Sequence, residues 1–461
     1  MADLRTNFAG IRSPNPFWLA SAPPTNTGAQ IHRAFEAGWG GAVWKTIGAP
    51  VLNVSNRYGA LHAGRQRMIA INNVELISDR PIEINLREIA EVKRAWPDRA
   101  LIVSAMVESK PEAWREIVLR IEDTGADGIE LNYGCPHGMS ERGMGSAIGQ
   151  VPEYCEQITR WVMETATIPV IVKLTPNITE IVLPARAGVA AGANALSLIN
   201  TINSIVGVDL DTLELTPSIG GKGSHGGFAG PAVKPIALNM LAELGIDEII
   251  SKSGLPISAM GGISTWTDAA EFLLLGASSL QVCTAVMHYG FRIIEDLCDG
   301  LSNWMDEKGF KTIADVTGQS LHRVSKFEDL DLSYRAVARI DAEKCIKCNL
   351  CYVACNDTAH QCIDLVSPEG ELVAPYSYDV RSNGKSDAVE TRPRPVVREE
   401  DCVGCRLCYN VCPVDNCIDM VEVSSGRDSV TWSELSEQQT QVTEDWEQMK
   451  AYRERMGIHI H

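Results

Sequence analysis

Gly128-Ile129-Glu130-Leu131-Asn132-Tyr133-Gly134-Cys135-Pro136-His137-Gly138 is the stretch that decides how the chain is read. A short run suited to a buried strand ends in an amide, and a thiol follows. Gly134, Gly138, Gly143, Gly145 and Gly149 then make a loop able to change shape. A reactive side chain at the carboxyl end of a strand, with an adaptable loop behind it, is a usual setting for catalysis. Cysteine is also a common small core residue, so the neighbouring pattern has to decide.

Working outward, the same design recurs. Short apolar runs at Phe17–Ser21, Ala42–Thr46, Leu101–Ala105, Gly128–Asn132, Val170–Leu174, Ala195–Ile199, Ile257–Met260 and Ser279–Cys283 alternate with amphipathic patterns such as Pro111–Thr124, Pro152–Thr165, Val233–Leu244 and Asp268–Leu275. Eight buried strands separated by helices predict an α/β chain folded as a closed (β/α)8 TIM barrel, although an open doubly wound sheet shares the alternation. Polar or flexible groups gather at one end of these runs: Ser21, Lys45 and Thr46, Asn132 and Cys135, Lys173, Asn200 and Thr201, Gly261 and Gly262, Cys283 and Thr284. Repeated at the ends of core strands they predict one shared pocket on the barrel's C-terminal face. Lys45 and Lys173 there require an anionic partner or a polar cavity. Gly261-Gly262, followed by Ile263-Ser264-Thr265 and a helix, suits a phosphate held by backbone N–H groups and a helix N-terminus. The G-x-G-x-x-G string at Gly221, Gly223 and Gly226 opens no βαβ unit, so Gly220–Gly230 reads as a flexible loop beside the pocket, and no nicotinamide site is evident.

The carboxyl-terminal part holds the most specific signal. Cys345, Cys348, Cys351 and Cys355 follow C-x2-C-x2-C-x3-C, and Cys402, Cys405, Cys408 and Cys412 repeat it. This is the bacterial ferredoxin run for two [4Fe-4S] clusters, in which the fourth cysteine of each run crosses to the other cluster. One cluster is expected on Cys345, Cys348, Cys351 and Cys412, the other on Cys402, Cys405, Cys408 and Cys355. Zinc would favour paired C-x2-C units instead. Asn356 stands where the pattern has proline. Cys155, Cys298, Cys362 and Cys417 read as structural thiols.

The expected organisation is a barrel over residues 1–310, a connector over 311–338, a 2[4Fe-4S] ferredoxin-like domain over 339–422 with a surface insertion at 366–398, and a charged, helix-like tail over 423–461. The net charge of −18 argues against nucleic acid. The amino terminus lacks an apolar leader, and the longest charge-free run, Ala187 to Val208, is broken by Asn194, Asn200 and Asn203. A cytoplasmic protein without a membrane span is expected, with its 14 cysteines serving metal or catalysis rather than disulfides. A pocket with two lysines and a phosphate-type glycine pair suits FMN, which couples single electrons from clusters to hydride chemistry.

The chain resembles the NAD-dependent dihydropyrimidine dehydrogenases, both the FMN/iron–sulfur subunit of the bacterial enzymes and the C-terminal half of the single-chain animal enzymes. The likeness runs from about residue 10 to 420. It rests on Leu19-Ala20-Ser21-Ala22, Asn73-Val74-Glu75-Leu76-Ile77-Ser78, Cys135-Pro136-His137-Gly138-Met139 with Glu141-Arg142-Gly143-Met144-Gly145, Lys173-Leu174-Thr175-Pro176-Asn177 and the two cysteine runs. The resemblance implies reversible reduction of uracil or thymine to the 5,6-dihydropyrimidine. A hydride would go from flavin N5 to C6 and a proton from Cys135 to C5. Asn73, Glu75, Asn132, Asn200 and Thr201 would hold the ring. Ser21, Lys45, Thr46, Lys173, Gly230, Met260, Gly261, Gly262, Cys283 and Thr284 would line FMN. Electrons would come through the clusters from an FAD/NAD(P)H-binding flavoprotein partner, within a hetero-oligomer containing a homodimer. Class 1 dihydroorotate dehydrogenases share the barrel and cysteine loop. Glu75 in the pocket would repel their carboxylate substrate and favour a neutral ring. An electron-carrier subunit with an inert barrel is the alternative of another class.

Overall fold

The computed structural model describes residues 2–48, 52–135, 143–373, 392–438 and 451. It divides into two compact units, Met1–Val324 and Ser325–His461.

In the first unit the eight expected strands are present: β1 (Phe17–Leu19), β2 (Gly41–Ile47), β3 (Ala100–Ala105), β4 (Gly128–Asn132), β5 (Val170–Lys173), β6 (Ala195–Leu198), β7 (Ile257–Met260) and β8 (Ala277–Val282). They pair in parallel and in chain order, and β8 returns to β1 through Leu280 opposite Phe17, which closes a barrel rather than leaving an open sheet. Every residue of β2 and β3 is buried. Strands covered on both faces have no solvent side, which is why they read as unbroken apolar runs. Helices follow each strand; Pro111–Glu122, for example, turns Trp114, Ile117, Val118 and Ile121 inward. A hairpin of Thr6–Phe8 and Ile11–Ser13 brings Phe8 and Ile11 against Trp18, Val43, Ala100 and Ala195, residues at or near the strand starts. That end of the barrel is filled with side chains, so any site belongs to the other.

The loops after β2 and β6 build a four-stranded antiparallel sheet of Tyr58–Ala63, Gln66–Asn73, Gly226–Ala229 and Ile202–Ser204. Here the structure corrects the flexible loop expected at Gly220–Gly230, because Gly226–Ala229 is an inner strand. Its glycines serve close approach. A Cβ at Gly226 would stand 2.2 Å from Asn72 Oδ1, and one at Gly227 would stand 2.3 Å from Thr201 Oγ1.

In the second unit Arg335–Ile340 pairs with Ile418–Val423, and Ile363–Val366 with Arg394–Val397. The first of these strands begins inside the expected connector. Both ends of the expected insertion are also paired strand; residues 374–391 lie outside the described residues. Six buried cysteines, Cys351, Cys355, Cys362, Cys402, Cys408 and Cys417, share the core with Val337, Ile363, Leu365 and Ile418. Of the expected tail, Trp432–Gln438 is a helix, and residues 439–450 and 452–461 lie outside the described residues. Among the described residues no helix is long and apolar enough to cross a membrane.

Candidate active site

The open end of the barrel holds a cavity of about 1140 Å³, counting its solvent mouth. Ser21 follows β1, Lys45 and Thr46 lie in β2, Asn132 ends β4 and leads to Cys135, and Lys173 ends β5. Asn200 and Thr201 follow β6, Gly261 and Gly262 follow Met260 of β7, and Cys283 and Thr284 follow β8. Asn73, Glu75 and Gly230 come from the antiparallel sheet and its continuations. All of these line the one cavity. Pro136 to Arg142 of the cysteine loop lie outside the described residues.

The amides and hydroxyls form a continuous arc. Thr46 N–H donates to Ser21 Oγ at 3.0 Å, and Asn132 Nδ2 donates to Thr46 Oγ1 at 2.9 Å. Asn200 Nδ2 donates to Asn132 Oδ1 at 3.0 Å, and Thr201 N–H donates to Asn200 Oδ1 at 2.8 Å. Each amide is thereby oriented before any ligand arrives. Cys135 is half-buried and packs against Ile77, Met106 and Met144, while its carbonyl accepts the N–H of Ser146 at 3.1 Å.

The charges are paired in two groups. The Glu75 carboxylate accepts from Lys45 Nζ, from Arg57 Nη1 at 3.0 Å and from the Tyr58 hydroxyl. Partial burial, and then this carboxylate, hold the Tyr58 phenol well above its usual range, so it remains a donor. The expectation that Glu75 would repel a carboxylate therefore needs revision: two cations share its single charge. Deeper in the barrel Lys173 Nζ lies 3.2 Å from Glu130 Oε1, with side-chain exposures of 5% and 0%. Glu130 Oε2 also accepts from Ser197 Oγ at 3.0 Å and Gln281 Nε2 at 3.1 Å. Sequence reasoning missed Arg57, Tyr58, Glu130 and Gln281. For the last two a signal existed, a carboxylate and an amide within strands of the barrel core.

The residues present fit a flavin nucleotide. Gln281 Oε1 is buried, lines the cavity wall and has no hydrogen-bond partner among the described residues, as suits an acceptor for a ring N–H. Gly262 has φ +85°, and a Cβ there would sit 2.9 Å from Gly230 O, so the backbone makes a concave cradle without side chains. The expected role of the following helix is corrected in part. Asp268 accepts the N–H groups of Ser264 at 2.9 Å and Thr265 at 2.8 Å, so those donors are already used. Burial pushes the Cys283 thiol up to about 12, against the pull of Lys173 and Lys45, which leaves it a neutral wall.

In the second unit Cys345, Cys348, Cys351 and Cys412 line one cavity, and Cys355, Cys402, Cys405 and Cys408 line another. The fold thus brings together the crossed sets. Such cavities suit a cluster; a single zinc ion draws its sulfurs to ~2.3 Å. Cys417 joins the first ring and Cys362 the second, which the spacing of the runs did not reveal.

A redox barrel joined to a dicluster domain is what these two units define. Residues 3–305 match the dihydroorotate dehydrogenase family, and residues 344–416 match the 4Fe-4S dicluster domain. The chain is 39% identical over 422 residues to the NAD-dependent dihydropyrimidine dehydrogenase subunit PreA of Escherichia coli (strain K12), covering 91% of this chain and 96% of that one. It is 40% identical over 354 residues to the chloroplastic dihydropyrimidine dehydrogenase (NADP(+)) of Arabidopsis thaliana, covering 74% and 83%. The dihydroorotate dehydrogenase B (NAD(+)) catalytic subunit of Pyrococcus abyssi is 33% identical over 326 residues, covering 69% and 99%. A crystal structure of dihydroorotate dehydrogenase from Eimeria tenella superposes with a TM-score of 0.57 at 19% identity, over 70% of this chain and 89% of that one, and shows the shared fold. The chain belongs to the dihydroorotate dehydrogenase family, in its branch of FMN/iron–sulfur catalytic subunits of bacterial NAD-dependent dihydropyrimidine dehydrogenase. It is an oxidoreductase acting on CH–CH bonds and carries FMN and iron–sulfur centres.

Proposed function

We propose that the chain reduces uracil or thymine to the 5,6-dihydropyrimidine, reversibly, with Cys135 as the acid. The observation that carries this is the arc from Asn132 to Thr201 standing with Cys135 and two lysines around one cavity. A pyrimidine presents alternating N–H and C=O groups, and paired amides match them because each has both donors and acceptors. Asn132, Asn200 and Thr201 hold that edge from the barrel, and Asn73 and Glu75 from the sheet above. FMN bound in the cavity supplies hydride exchange with C6 and single-electron exchange with the clusters. Ser21, Thr46, Lys173, Gly230, Met260, Gly261, Gly262, Cys283 and Thr284 hold the cofactor, and Lys45 and Lys173 stabilise negative charge as it develops. Cys135 delivers its proton to C5, and its apolar flank of Ile77, Met106 and Met144 limits competing water.

Cys345, Cys348, Cys351 and Cys412 would hold one [4Fe-4S] cluster and Cys402, Cys405, Cys408 and Cys355 the other, and these would supply single-electron transfer from a flavoprotein partner that oxidises NADH or NADPH. The nicotinamide cofactors in the names of the relatives support such a donor. A second reading keeps one specific support: Arg57 and Lys45 on Glu75 make the pocket hospitable to the carboxylate of orotate. The test is a screen of uracil, thymine and orotate with a chemical reductant. Turnover of the neutral rings supports the proposal, and turnover of orotate alone refutes it.

A further inference from the structure

The ring around the second cluster cavity contains five thiols. Four belong to the expected ligand set, and the fifth is Cys362, buried in the same core. It is brought there by a tight return of the chain. Cys355 lies in a π-helical turn, Val353–Asp357. The N–H groups of Ala359 and Gln361 donate to its carbonyl at 3.1 and 3.0 Å. Gln361 then takes φ +54°, and Cys362 follows with its N–H on Cys355 Sγ at 3.4 Å and its own Sγ 3.5 Å from that sulfur. Asn356 belongs to this turn, where the second run has Pro413 after Cys412. The Asn356 carbonyl accepts from Gln361 Nε2 at 3.2 Å, which braces the return, and the second run likewise brings Cys417 back to the first cavity.

We propose that Cys362 is a spare ligand for this cluster, able to replace Cys355 on the fourth iron and keep the cluster in its four-iron form. The proposal rests on the reading that the second cavity holds a [4Fe-4S] cluster. The exchange balances simply. The iron–sulfur bond to residue 355 is absent, one forms to Cys362 Sγ, the proton of that thiol leaves to solvent, and no electron changes hands. In the intact chain Cys362 remains a neighbour of the bound sulfur, in the position from which hydrogen bonds tune a cluster.

The experiment compares the full chain with Cys355→Ala and with Cys355→Ala/Cys362→Ala, reading iron and sulfide content, electron paramagnetic resonance and Mössbauer spectra. The single variant is expected to keep the parent's iron content and two four-iron signals. The double variant is expected to lose iron or show a three-iron signal when oxidised. A single variant that already shows the three-iron signal overturns the proposal. So does a nitrogen-ligated cluster, since His360 lines the same cavity. Should the alanine variant fail to fold, Cys355→Ser asks the same question: four sulfur ligands support the exchange and an oxygen ligand overturns it. A parent chain without two four-iron clusters would sink the underlying reading, and the proposal with it, before any variant is compared.

Discussion

Glu130→Gln tests the buried charge pair beneath the cavity. The substitution conserves volume, so no cavity opens and the change is electrostatic. It leaves the Lys173 ammonium, 5% exposed, without the carboxylate 3.2 Å away. Breaking one side of a buried ion pair costs about 3–5 kcal/mol. At this domain size about 2 °C of midpoint accompanies each kcal/mol, so unfolding should fall by about 6–10 °C. Lys173→Met should be destabilising for the mirror reason, softened by Ser197 and Gln281, which still donate to Glu130. The double variant, with neither charge, should recover much of the loss, a coupling of about 2–3 kcal/mol. Far-UV circular dichroism of the flavin-free chain gives the four melting curves without any contribution from cofactor affinity. Strictly additive effects, or a parent-like melt for Glu130→Gln, would refute the pairing and with it the role of Glu130 in positioning Lys173.

Gly262→Ala should weaken FMN binding by about tenfold or more, since a side chain at φ +85° would press on Gly230 O; an unchanged dissociation constant by flavin fluorescence titration would count against the cradle. Asn200→Ala removes the donor to Asn132 Oδ1 and, if the proposed function holds, one contact to the ring, so kcat/KM for uracil should fall by about ten- to a hundredfold; a value within twofold of the parent, roughly, would remove Asn200 from the site. The isolated chain should reduce uracil with a chemical donor yet oxidise NADH slowly, and brisk NADH oxidation by this chain alone would contradict the need for a partner.

The barrel was legible because parallel strands buried on both sides leave continuous apolar runs, and because polar groups at their ends have no place in a core. The cluster runs were legible because ligation demands short, fixed spacings. The antiparallel sheet over the mouth was hidden by its glycines: at Gly226 and Gly227 they make room for Asn72 and Thr201, which a linear reading cannot tell from flexibility. Glu130 and Gln281 lie far apart in the chain, and only the closed barrel sets Glu130 beside Lys173, Ser197 and Gln281. Asp268 illustrates the opposite limit. The helix start after Gly262 was visible, but not that its own carboxylate takes the Ser264 and Thr265 donors. Cys362 and Cys417 passed as structural thiols because spacing alone does not say which way a sulfur faces.

The central claim is that flavin and pyrimidine meet beside Cys135 at the open end of the barrel. Its most direct test is the anaerobic reoxidation of the chemically reduced flavin by uracil, followed by absorbance in the parent and in Cys135→Ala. The account predicts rapid reoxidation in the parent. The variant should keep its flavin and iron–sulfur spectra but slow at least about a hundredfold, the usual contribution of a positioned acid. Equal rates in the two proteins would contradict it.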